Sequence, residues 1–122
     1  MYQIEIYEDI YGKSDIIDYF KKLQKSGSKD DRIKIQKIRM YMRLLKEYGL
    51  SLNEPYIKHL EEDIWELRPL RDRFLFAYWK NNRFVILSHF LKKTAKTPRS
   101  EIEKARRLLR ELKSRSDLEW VN

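Results

Sequence analysis

Residues 73–93 read RFLFAYWKNNRFVILSHFLKK, and the fold turns on them. Phe74 to Trp79 is apolar at nearly every position, as in a strand covered on both faces. Asn81 and Asn82 follow. Asparagine tolerates the left-handed backbone that a two-residue hairpin turn requires, so the chain is expected to reverse there. The return strand, from Arg83, is equally apolar and closes on two adjacent ammonium groups, Lys92 and Lys93. No acidic neighbour in the sequence neutralises them. They are either a solvated strand end or one wall of an anion site.

Upstream, DIWELRPLR changes the period to two. Trp65 and Leu67 share one face of a strand, Glu66 and Arg68 the other, and Pro69 ends it. Residues 50–62 read as irregular. Earlier, Ile4 and Ile6 alternate with Gln3 and Glu5 in a short strand, and Gly12 breaks it. Ser14 is placed to cap a helix carrying Ile16, Phe20 and Leu23. After the loop KSGSK, a longer helix from about Asp30 to Tyr48 buries Ile35, Ile38, Met42 and Leu45, with Gly49 as its C-terminal stop. Downstream, Thr97 is expected to cap a last helix with Pro98 at its first position. Ile102, Ala105, Leu109 and Leu112 form that helix's buried stripe. The expected order is β-α-α-β-β-β-α, an α+β domain with two N-terminal helices packed on an antiparallel meander. One domain covers 1–115. Residues 116–122 read as a frayed tail, with Trp120 able to dock.

A chain of 122 residues supports one core. Its net charge of +8 makes polyanions natural partners. The excess is local: ten basic residues and three acidic ones lie between Lys92 and Arg115. There are no cysteines, which excludes disulfides and thiolate catalysis and suits a reducing cytoplasm. Met1 to Glu8 does not read as a signal peptide, and no apolar run reaches membrane-spanning length. The glycines form no phosphate-cradling loop. His59 and His89 stand far apart without other ligands, so no metal site and no cofactor is expected. His89 alternates with Leu87 and Leu91, which places it on their face of the strand.

The chemistry then falls to cations on strands. Arg68 and Arg73 lie near one end of the meander, with Lys92 and Lys93 at the close of the last strand. Guanidinium forks match phosphate oxygens, and ammonium adds a point charge. Converging on one hollow, they would stabilise the charge of a phosphorane-like transition state. The competing reading leaves each as surface charge, with Glu66 pairing Arg68. Tyr78, on the same strand as Arg73, is placed to stack a splayed base.

IWELRP, then RFLFAYW, then RFVILSHFLKKTAKTPRSEIEKA resembles, in order and spacing, the HigB-like toxins of the RelE/ParE superfamily, including phage-derived proteins called Gp49-like. The motif-bearing part runs from about Ile64 to Ala105. The resemblance implies a RelE-like fold and a cytoplasmic type II toxin that enters the ribosome and cuts mRNA without metal. The RNA 2′-hydroxyl would attack the neighbouring phosphate. It also implies a cognate helix-turn-helix, HigA-like antitoxin, with operator DNA bound only through that complex, and no membrane partner. By position, Glu66, Arg68, Arg73, Lys92 and Lys93 would be catalytic. Lys80, Arg83, Tyr78, His89, Lys96 and Arg99 would contact RNA. For proton transfer, a lysine, Glu66 or His89 remains open. Two alternatives stand: a ParE-type gyrase-inhibiting toxin without nuclease activity, and a nonenzymatic basic RNA-binding module.

Overall fold

Strands β4 (Asp72–Trp79) and β5 (Arg83–Leu91) pair antiparallel at the centre of the molecule. Their link is a three-residue turn, Lys80-Asn81-Asn82, rather than the expected two-residue one, because Trp79 pairs directly with Arg83; Asn81 at φ 64° and Asn82 at φ 57° take the left-handed backbone expected of them. In this computed structural model, which describes residues 1–121 and side chains through Arg115, the element order is β1 (Gln3–Ile6), α1 (Asp15–Lys25), α2 (Lys29–Tyr48), a short 3-10 turn, β2 (Ile57–Glu61), β3 (Ile64–Leu67), β4, β5 and α3 (Arg99–Val121). Fraying of 116–122 and docking of Trp120 concern side chains outside those described.

Two expectations about the sheet need correction. Residues 57–61, read as irregular, form β2, which hydrogen-bonds to β3 at the sheet edge. Only Ile57 of its side chains is fully buried, while Lys58 and His59 are exposed and Leu60 and Glu61 partly covered, so IKHLE shows no clean alternation. The sheet is also mixed rather than antiparallel. Its order is β1-β5-β4-β3-β2, and β1 runs parallel to β5. The two helices between β1 and β2 carry the chain across one face before the meander begins, and this leaves β1 free to pair in parallel.

Each face of the sheet has its own core. Ile16, Leu23, Ile35, Ile38 and Leu45 from α1 and α2 pack on Leu67, Phe74, Phe76, Phe84 and Ile86. Ala105 and Leu109 of α3 pack on Ile64, Leu75, Ala77, Val85 and Leu87. This two-sided burial explains why β4 lacks a polar face. Ser14 caps α1 by accepting from the Ile17 amide (3.2 Å). Gly49 ends α2 at φ 59°, where a Cβ would collide with the Tyr2 ring. Thr97 departs from its expected role. Its hydroxyl donates to Glu66, and the Pro98 carbonyl accepts the first helical bond, from Ile102.

A bulge decides the rest. Leu75 pairs with Ser88, but Phe76 pairs with Ile86, so Leu87 is an extra residue on β5. An inserted residue reverses which face every later side chain takes. Leu87 faces α3. His89, opposite Phe74, is turned to the α1–α2 face, away from the face that simple alternation assigned it.

Candidate functional site

Glu66 lies on the α3 face of β3 and is 1% exposed. Its Oε2 accepts a hydrogen bond from Thr97 Oγ1 at 2.7 Å. Its Oε1 stands 3.3 Å from Arg68 Nε and 4.0 Å from Arg73 Nε. A buried carboxylate is tolerable only with such neighbours. The two arginines differ. Arg73 is 6% exposed, and its Nη1 donates to the carbonyls of Leu70 (2.8 Å) and Asp72 (2.9 Å), clamping the turn between β3 and β4. Burial, then the charge of Arg68, pulls its pKa down; Glu66 and Asp72 oppose this. The Arg68 side chain is 21% exposed. It is ion-paired with Glu66 and, at 3.9 Å, with Glu54, but makes no side-chain hydrogen bond among the described residues. Its fork therefore keeps donors for an outside anion.

A second buried carboxylate sits on the opposite face. Asp72 Oδ1 accepts from Tyr19 Oη at 2.6 Å and lies 2.7 Å from His89 Nε2. Lys34 Nζ is 3.9 Å from its Oδ2. The His89 ring stacks on Tyr19 at 4.2 Å and packs on Phe74. Burial raises the Asp72 pKa, but the bonds from His89 and Tyr19 outweigh it and the net shift is downward. Burial and the bond to Asp72 push Tyr19 well above the usual phenol range.

The remaining candidates are dispersed. Lys92 and Lys93 emerge at the same end of the sheet as Arg68 and Arg73 but line a separate hollow with Ile33, Lys34 and Arg71 on the α2 side. Tyr78, Lys80 and Arg83 surround the Asn81–Asn82 turn at the other end of β4, about 20 Å from Arg73. There Arg83 pairs with Glu5 at 2.9 Å, and Tyr78 Oη accepts from the Asn82 amide. Arg99 is held by Glu61 and Glu103. Lys96 is exposed, and its carbonyl accepts from Thr94 Oγ1. Among the described residues no three His, Asp or Glu side chains converge as a metal site requires, and no helix is long and apolar enough to cross a membrane.

Residues 18–110, about three quarters of the chain, match the family described as Phage derived protein Gp49-like (DUF891). The chain belongs to the Gp49-like family. This is a family of RelE/HigB-like toxins, associated at a general level with toxin–antitoxin systems and loosely with RelE-like endoribonucleases. No curated protein matches the chain. The matched segment contains α2, the whole β2–β5 meander and both buried carboxylates, so this Gp49-like chain carries its polar clusters inside the family region. Three participants escaped sequence reading. Tyr19 and Lys34 look like ordinary helix residues until the bulge turns His89 toward them. Asp72 gave the one usable signal, an acid at the mouth of an otherwise apolar strand.

Proposed function

We propose that this protein is a ribosome-dependent mRNA endonuclease, the toxin of a type II toxin–antitoxin pair. One observation carries the reading beyond family membership. Arg68 is half-sealed over the buried Glu66, keeps free donors, and opens at the sheet end where Lys92 and Lys93 also emerge. In this reading Arg68 takes the non-bridging oxygens of the scissile phosphate. Arg73 and Glu66 act beneath it: Glu66 aligns the guanidinium, and Arg73 fixes the turn that carries it. Lys92 and Lys93 hold the RNA backbone and offset the charge that develops as the 2′-hydroxyl oxygen attacks phosphorus. The 5′-oxygen leaves, giving a 2′,3′-cyclic phosphate and a 5′-hydroxyl. Glu66 is buried beneath the arginines and already accepts from Thr97, so it is out of reach of the 2′-hydroxyl, which leaves a lysine for proton transfer. The ribosome supplies the orientation of the substrate, so free RNA is cut slowly. A helix-turn-helix antitoxin is the proposed partner.

The test adds purified protein to a translating extract and maps transcript 5′ ends. Codon-phased cuts bearing 5′-hydroxyls are expected, and intact transcripts would refute the reading. A second reading is favoured by the burial of Glu66 and Arg73, which suits a structural ion cluster: a toxin that poisons gyrase by binding alone. It predicts whole transcripts and trapped DNA breaks in the same cells.

A further inference from the structure

The hollow that contains Lys92 and Lys93 has an unusual floor. Ile33 is 46% exposed, Leu70 47% and Leu91 44%, and all three line one cavity of about 420 Å³. They come from α2, from the β3–β4 turn and from the end of β5. Around them stand Lys34, Arg71, Lys92 and Lys93, against one acid, Asp30.

Leu70 is the informative residue. It sits at φ 56°, a left-handed conformation that branched side chains seldom adopt. Its backbone is pinned there. Arg73 Nη1 donates to its carbonyl, and the Asp72 amide bonds to the Pro69 carbonyl at 3.0 Å. The next residue is fastened to β5, with the Lys92 amide on the Arg71 carbonyl (2.8 Å) and Arg71 Nη2 on the Lys92 carbonyl (2.9 Å). The turn therefore holds an isobutyl group out toward water in a rigid setting. Glycine would suit this backbone better.

We infer that this hollow is the docking site for an acidic amphipathic segment of a partner protein, one that inserts two or three aliphatic side chains between Ile33, Leu70 and Leu91 and sets carboxylates against Lys34, Arg71, Lys92 and Lys93. Charge complementarity requires an anionic partner. The floor decides which kind. Nucleic-acid bases are held by aromatic faces, and none of the residues lining the hollow is aromatic. Aliphatic anchors beside a cationic rim match the apolar face of a helix flanked by Glu or Asp. A segment seated there covers Lys92 and Lys93. If those lysines hold RNA, as the preceding reading has it, the partner competes directly with substrate. The docking itself does not depend on that reading.

The probe is an acetylated, fluorescein-labelled peptide of about 16 residues, with Leu at i, i+3, i+4 and i+7 and Glu on the flanks, titrated against the full chain by anisotropy. A second peptide replaces every Glu with Lys, and a short single-stranded RNA is titrated in parallel. The acidic peptide is expected to bind saturably and the basic one not at all. Leu70→Gly should weaken acidic-peptide binding at least tenfold while the thermal midpoint stays equal or rises, because glycine relieves the left-handed backbone. Lys92→Glu with Lys93→Glu should abolish it. RNA binding should be unchanged by Leu70→Gly. No saturable peptide binding up to about 1 mM, equal binding by the Leu70→Gly chain, or RNA binding that falls with Leu70→Gly would each overturn the inference. Transcripts left whole in the translating extract, with peptide binding intact, would remove the nuclease reading and leave the docking site standing.

Discussion

Two buried carboxylates lie at the same end of one sheet, on opposite faces, and they are built differently. Asp72 is fully enclosed, its Oδ1 accepting from both Tyr19 and His89 and its Oδ2 without a hydrogen bond, 3.9 Å from Lys34 Nζ. Glu66 is equally buried and also has one unbonded oxygen, but there the facing group is a guanidinium, Arg68 Nε at 3.3 Å, itself without a hydrogen bond. The two bonds to Asp72 Oδ1 tie α1 and β5 to β4 and close the cluster on that face. On the Glu66 face, a partly open guanidinium with no side-chain hydrogen bond can take an outside acceptor at little cost. The contrast separates a structural charge from one available to a ligand.

The comparison yields four expectations. Asp72→Ala strips Tyr19, His89 and Lys34 of their shared partner and should lower unfolding stability by about 3–5 kcal/mol in urea titration; a loss below about 1 kcal/mol would make the closed cluster ornamental. Arg68→Ala should slow transcript cutting about 10²–10³-fold with little change in the urea midpoint, whereas Tyr19→Phe should leave cutting intact. Equal losses from both would erase the distinction between the two faces.

The third expectation concerns pH. The folded Asp72 pKa lies below its unfolded value, so the stability it contributes is present above about pH 4 and is lost as pH falls through the folded pKa. Tyr7, on the α3 face, is pushed up to about 12 by burial and its bond to Glu111, and Tyr19 is raised as well. Both phenols hold their protons in the native state, so their contribution is present below about pH 10 and lost as pH rises beyond it. Asp72→Asn should remove the acid limb of a stability–pH curve, and Tyr7→Phe should soften the alkaline limb. Unchanged limbs would mean that other groups govern them. The smallest effect belongs to Ser14→Ala, which removes the cap of the helix carrying Tyr19. It should cost about 1 kcal/mol, read by thermal denaturation, and leave cutting unaffected.

Much of the architecture was legible because local rules governed it. Ser14, Gly49 and the Asn81–Asn82 pair each have a backbone preference that no distant contact needs to supply. The apolar run from Phe74 to Trp79 required cover on both faces, and every residue but Tyr78 is buried. Of the site, the grouping of Glu66, Arg68 and Arg73 followed from strand alternation and a tight turn. Their burial did not. The separation of Lys92 and Lys93 into a hollow on the α2 side did not either, because it depends on where β5 ends relative to α2.

Sequence by itself determined the three helices and every strand but β2, the hairpin, the cationic bias and the family motifs, since periodicity and turn chemistry are encoded within a few residues. Tertiary structure alone decided the parallel pairing of β1, the edge strand β2 and the direction in which His89 points. The last follows from one extra residue at Leu87. A bulge exchanges the two faces of everything after it, and whether one forms depends on packing from both sides of the sheet, not on the strand's own composition.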